Sequence, residues 1–205
     1  ERASSGTTST ISAFPIATIY ANLARVCCVE GPWRKRVALG SGEFKKLVGY
    51  GEVEETFGGG KAKNRHGNDR DGSTGGTGSG KAVVAGAVQR KGNVVARVVA
   101  NVKADTLTSF VNEAVSHHVS LLVTDQWMGY RQLHRQYPHQ VINHAKGQYV
   151  VGAVHTNTIE GFWSIVKRGI VGTFHKVSKK YLHLYVNEFE FRYNQRLNAD
   201  IFGAA

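Results

Sequence analysis

Three acids stand where their type and order could do chemistry. Glu54 lies in the string EVEETF (52–57), Asp125 closes VSLLVTD (119–125), and Glu160 sits inside HTNTIEGFWSIVKRG (155–169), with Lys167 seven residues further on. Carboxylate oxygens are hard donors and suit a hard divalent cation such as magnesium. Any one of the three would by default be a solvated surface acid, so their value lies in their order and in the elements that carry them. Asn157 precedes Glu160 by one helical turn, so both can face one site. An amide carbonyl is a weaker, neutral ligand, which makes Glu160 the better metal ligand and Asn157 the better substrate contact. His155 is a candidate for touching a phosphate, although a lone His is by default a structural hydrogen-bonding group.

The elements that must position these acids follow from periodicity. EVEETF alternates, placing Glu52, Glu54 and Thr56 on one strand face and Val53, Glu55 and Phe57 on the other. A carboxylate pair on one strand face is costly. The β-branched runs 82–88 and 93–102 predict an antiparallel hairpin across QRKG. Asp105 is placed to cap a helix through about His117, with Leu107, Phe110, Val111, Ala114 and Val115 on its apolar face. Residues 119–125 read as a buried strand ending in an acid. There follow a helix through Tyr130, Leu133 and Tyr137, a strand over 140–143, a helix from Asn157 to about Lys167, and a last helix from about Lys179 to Leu197. That last helix is amphipathic and places Leu182, Tyr185, Val186, Phe189 and Tyr193 on a common face. The order β-β-β-α-β-α-β-α-α predicts an α/β fold with a mixed sheet, three antiparallel strands and then strands parallel to the first, flanked by helices. Such a sheet gathers groups distant in sequence at its strand ends.

Composition bounds the rest. A chain of 205 residues, 41% hydrophobic, can bury one sizeable core. Its formal net charge of +11 favours a polyanionic partner, because each neutralised phosphate releases counterions. Cys27 and Cys28 are adjacent and have no Cys or His at zinc-ligand spacing, which argues against a structural zinc and a disulfide framework and fits a reducing cytoplasm. No apolar run approaches the roughly 18 to 20 residues that span a bilayer, so no membrane association is expected. The chain opens on Glu1 rather than Met, which reads as a fragment or a processed product. Residues 1–50 are rich in Ser, Thr, Gly and Ala and form a poorly specified segment, a degraded DNA-binding region or a linker. Residues 58–80 read as a flexible loop. GGTGSGK (75–81) matches most of a phosphate-binding loop, but Ala82 stands where Ser or Thr should bind magnesium, and a strand rather than a helix follows. No nucleotide partner is expected.

The strings EVEETFGGGKAKNRH, VTDQWMGY, VINHAKGQYV and HTNTIEGFWSIVKRGIVGTFH resemble the catalytic domain of DDE-type bacterial insertion-sequence transposases, in the branch with an Asp-Asp-Asn/Glu-Lys signature. The resemblance covers about residues 50 to 196. It implies an RNase H-like catalytic domain over 51–198, followed by a tail at 199–205. It implies Mg2+ as cofactor, two ions with Mn2+ able to substitute, bound by Glu54, Asp125 and Glu160. The ions would activate a water or 3′-hydroxyl and steady the leaving oxygen. Asn157 or Glu160 fills the third active-site position, with Lys167 beyond it. The implied partners are DNA element ends and target DNA, met by a homo-oligomer in the bacterial cytoplasm and its nucleoid. His155, Lys167, Arg168, Lys61 and Lys63 would contact DNA. The first acid is an Asp in the family and Glu54 here, and the extra methylene moves the carboxylate by about 1 Å, enough to cost ~10²-fold in rate. Impaired catalysis is therefore expected, down to a remnant that binds DNA without cutting it. Trp127, Phe162 and Trp163 are by default core or groove-wall aromatics rather than base-stacking groups.

Overall fold

The computed structural model describes residues 46–59, 81–142, 155–174 and 177–201. Its centre is a five-stranded sheet in the order β3-β2-β1-β4-β5. β1 (Leu47–Gly58), β2 (Ala82–Gln89) and β3 (Val94–Val99) make an antiparallel meander. β4 (Val115–Asp125) lies parallel to β1 on its other side, and β5 (His139–Ile142) parallel to β4. This is the RNase H-like mixed sheet that the sequence predicts.

Helices cover both faces. One face carries Val53, Ala85, Ala87, Val95 and Leu122, which pack against Leu107, Phe110 and Val111 of α1 (Ala104–Ala114) and against Tyr130 and Leu133 of a 3-10 segment, Met128–Arg135. The other face carries Glu52, Glu54 and Gly86 and is covered by α2 (Asn157–Gly169). α2 buries Ile159, Phe162, Trp163 and Val166. α3 (Leu182–Asn194) lies along β3 and gives its side chains to that strand's outer edge. Asn194 accepts from the Val94 N–H at 2.7 Å and donates to the Val94 carbonyl at 2.9 Å, and Glu190 accepts from the Ala96 N–H at 3.0 Å.

Several boundaries differ from the periodicity. The helix expected to reach His117 ends at Ala114 and passes into β4 without a loop, the strand beginning at Val115 rather than Val119. His117 and His118 are solvent-facing polar residues of a strand, a position where polarity carries no helix signal. Asp105 does not cap α1. The helix starts two residues earlier than such a cap implies, with Lys103 at the cap position, and Asn101 Oδ1 accepts from the Lys103 N–H at 2.9 Å. The segment through Tyr130 is a 3-10 helix that closes before Tyr137. The last helix is shorter than 179–197; Leu182, Val186 and Phe189 are buried together with the Glu188–Arg192 ion pair, and Tyr185 and Tyr193 are half-buried. The expectations for 1–45 and 60–80 lie outside the described residues.

Candidate active site

β1 is the central strand, and its register builds the site. Glu54 pairs with Gly86 of β2, while Val53 pairs with Thr124 of β4, so Glu54 and Asp125 are the next residues along two neighbouring strands. Burial pushes the Glu54 carboxyl up to about 8, and the charges of Glu160 and then Asp125 push the same way. Lys167 pulls it down. The structure thus brings Asp125 of β4 and Glu160 and Lys167 of α2 within electrostatic reach of Glu54. Glu54 Oε2 is buried and has no hydrogen-bond partner among the described residues.

Local chemistry holds each partner. Asp125 Oδ1 accepts from the Trp127 N–H at 3.0 Å, and the Trp127 indole donates to the Val102 carbonyl at 3.2 Å. Trp127 is 39% exposed, a wall rather than a core residue, whereas Phe162 and Trp163 are core. Glu160 lies on the outward face of α2 with Asn157, Ser164 and Lys167, and its Oε1 accepts from the Thr156 hydroxyl at 3.0 Å. α2 comes close to the sheet because of Gly86. A Cβ there would lie 2.4 and 2.7 Å from two ring carbons of Trp163. Any side chain opposite Glu54 on β2 would therefore push the helix off.

Glu52 is the residue that sequence reasoning did not single out. It is fully buried, and both oxygens are engaged. Oε2 accepts from the N–H groups of Thr158 at 2.8 Å and Ile159 at 3.0 Å, the second and third residues of α2. Oε1 accepts from the Thr158 hydroxyl at 2.9 Å and from Arg90 Nε at 2.6 Å. Arg90 leaves β2 at a turn in which Lys91 takes φ 59°, and it also donates to the His155 carbonyl at 2.9 Å. The signal available in sequence was only the alternation of Glu52 with Glu54. Its partner lies more than a hundred residues away.

The remaining candidates scatter. His155 is partly exposed, with Nδ1 3.2 Å from Glu52 Oε1, just before α2. Arg168 folds back along its own helix, its Nε donating to the Ser164 carbonyl at 3.2 Å. Lys61 and Lys63 lie outside the described residues. Lys81 immediately precedes a strand, β2, so no helix N-terminus backs a phosphate-binding loop there. On the opposite face of β1, Glu55 accepts from the Tyr130 hydroxyl at 2.7 Å, and burial raises both groups. His139, which pairs with Leu122 across β4 and β5, shares a 2.8 Å hydrogen bond with Thr124 and is lowered to about 4 by burial and by the nearby His134.

The donor set suits a divalent cation. A carboxylate oxygen without a donor, raised in pKa by burial and then by neighbouring carboxylates, is in the state that a bound cation relieves. Among the described residues no three His, Cys, Asp or Glu side chains stand close enough to hold a metal ion together. No helix among the described residues is long and apolar enough to cross a membrane.

The mixed five-stranded sheet with helices on both faces is that of an RNase H-like domain. The chain belongs to the ISXO2-like transposase domain family, which matches residues 46–194 and so every strand and helix described above. Comparison with curated proteins and with solved structures gave no match.

Proposed function

We propose that this domain cleaves DNA at insertion-sequence ends and joins the freed 3′-hydroxyl to a target, with Mg2+, or Mn2+ in its place, held by Glu54, Asp125 and Glu160. The observation that carries this reading is the convergence of Asp125 of β4 and Glu160 and Lys167 of α2 on the buried Glu54 carboxyl of β1. A bound pair of divalent ions supplies Lewis-acid polarisation and a nucleophile available at neutral pH. The chain's own residues bind and orient. Trp127 fixes the Asp125 carboxylate through its N–H. Lys167, two turns beyond Glu160 on the same helix face, neutralises phosphate beside the acids. Asn157 and His155, at the entry to α2, contact the strand being cut, while Arg168 sits further out along the DNA backbone. Joining two element ends to one target calls for a homo-oligomer on DNA.

Glu54 sets the rate. Its longer side chain displaces the carboxylate, and with its pKa raised to about 8 it is mostly protonated at neutral pH until a cation is present. The same observation supports a second reading, a remnant that binds DNA and does not cut it. Nicking of DNA that requires Mg2+ or Mn2+ and is abolished by Asp125→Ala supports the enzyme. Salt-sensitive DNA binding with no nicking in either metal supports the remnant.

A further inference from the structure

α2 carries one of the three acids and is capped in an unusual division of labour. Thr156 occupies its N-cap position and makes no capping bond with its side chain. Its hydroxyl turns to Glu160 instead. The exposed N–H groups of the first turn are taken by Glu52, which reaches across from β1. An orphan helix N–H ordinarily finds its acceptor in the cap residue itself. Here a strand carboxylate supplies it, its charge matched by Arg90 and by the helix dipole.

We infer that Glu52 is a positioning residue of this active site: by capping α2 from β1 it locks the helix to the strand that bears Glu54 and releases Thr156 to orient Glu160. The inference rests on the cation-binding reading above. The two carboxylates of one strand face then have separate tasks, Glu54 toward the cations and Glu52 toward the helix that delivers the third acid. Arg90 extends the lock to His155, two residues before α2, through the His155 carbonyl. Thr158 strengthens it, since both its N–H and its hydroxyl donate to Glu52.

The test is a double-mutant cycle on Mn2+ affinity, measured with the full chain and Mn2+ alone by electron paramagnetic resonance. Loss of a group that orients a metal ligand typically weakens metal binding by roughly 10- to 100-fold, and Glu52→Gln is expected to show about 10-fold. In that background Glu160→Gln should cost little more, because Glu160 is already misplaced. Asp125→Asn, on a strand that Glu52 does not hold, should keep its full effect. Circular dichroism confirms that each variant is folded. Should Glu52→Gln unfold the chain, Thr158→Val removes only the hydroxyl that donates to Glu52 and should give the same pattern with a smaller loss. Wild-type affinity in Glu52→Gln beside a weakened Glu160→Gln overturns the inference and leaves the cation reading standing. Full additivity of Glu52→Gln with Glu160→Gln also overturns it, because Glu52 would then not act through Glu160. If the chain binds no Mn2+, or neither Asp125→Asn nor Glu160→Gln weakens binding, the cation reading falls and the inference falls with it.

Discussion

Glu52 and Glu54 project from the same face of β1, two residues apart, and their surroundings treat the same side chain in opposite ways. Around Glu52 stand two helix N–H groups, a hydroxyl and a guanidinium, so burial is fully compensated. Around Glu54 stand three more carboxylates, Glu160, Asp125 and Glu55, and one lysine, and one of its buried oxygens has no donor among the described residues. The same strand position type yields a structural joint in one case and stored electrostatic repulsion in the other. Burial does not decide what a carboxylate is for. The donors it meets decide that.

The sharpest way to break this comparison is to remove each acid in turn. Glu52→Ala removes the carboxylate to which Arg90 Nε and the Thr158 and Ile159 N–H groups donate and should destabilise the fold by about 3–5 kcal/mol in urea melts. Glu54→Gln should instead stabilise the metal-free protein above pH 8. Similar losses from both would end the distinction. Next in size, Glu54→Asp should raise cation-dependent nicking by ~10²-fold as the carboxylate takes up the shorter reach. Unchanged nicking would mean that Glu54 already sits where the chemistry needs it. Gly86→Ala drives a methyl into the Trp163 ring and should cost about 1–3 kcal/mol in the same melts.

The smallest effect per measurement is a pH slope. Glu54 holds its proton up to about 8 in the fold, against 4.5 as the ordinary value, so the folded state binds more protons between these limits. The metal-free protein therefore loses stability as pH rises through that window, by at most about 1.4 kcal/mol per pH unit from this group. Glu54→Gln should flatten the slope without abolishing it, since burial also raises Glu55 and Glu190. A slope identical in the variant would show that Glu54 is not strained.

The sheet was legible because β-branched runs at 82–88 and 93–102 leave little choice but strands, and because QRKG can only turn. The gathering of Glu54, Asp125 and Glu160 was legible through the resemblance carried by HTNTIEGFWSIVKRG and VTDQWMGY; periodicity alone placed them only at element ends. Glu52 was not legible. Its worth depends on where the N-terminus of α2 falls, a tertiary contact between residues 52 and 158 that no local pattern encodes. The direct passage from α1 to β4 was hidden for another reason. His117 and His118 are exposed strand residues, and exposed polar side chains look alike at a helix end and on a strand.

The amide of Asn194 and the carboxylate of Glu190 bear on how copies of this domain can meet. An outer strand with bare N–H and C=O groups is a template onto which another chain can add a strand, and proteins guard against it. At β3 the Asn194 side chain exchanges both kinds of hydrogen bond with Val94, as a neighbouring strand would, and Glu190 occupies the Ala96 N–H. Strand addition at this margin, whether toward an orderly assembly or toward aggregation, would first have to peel α3 away.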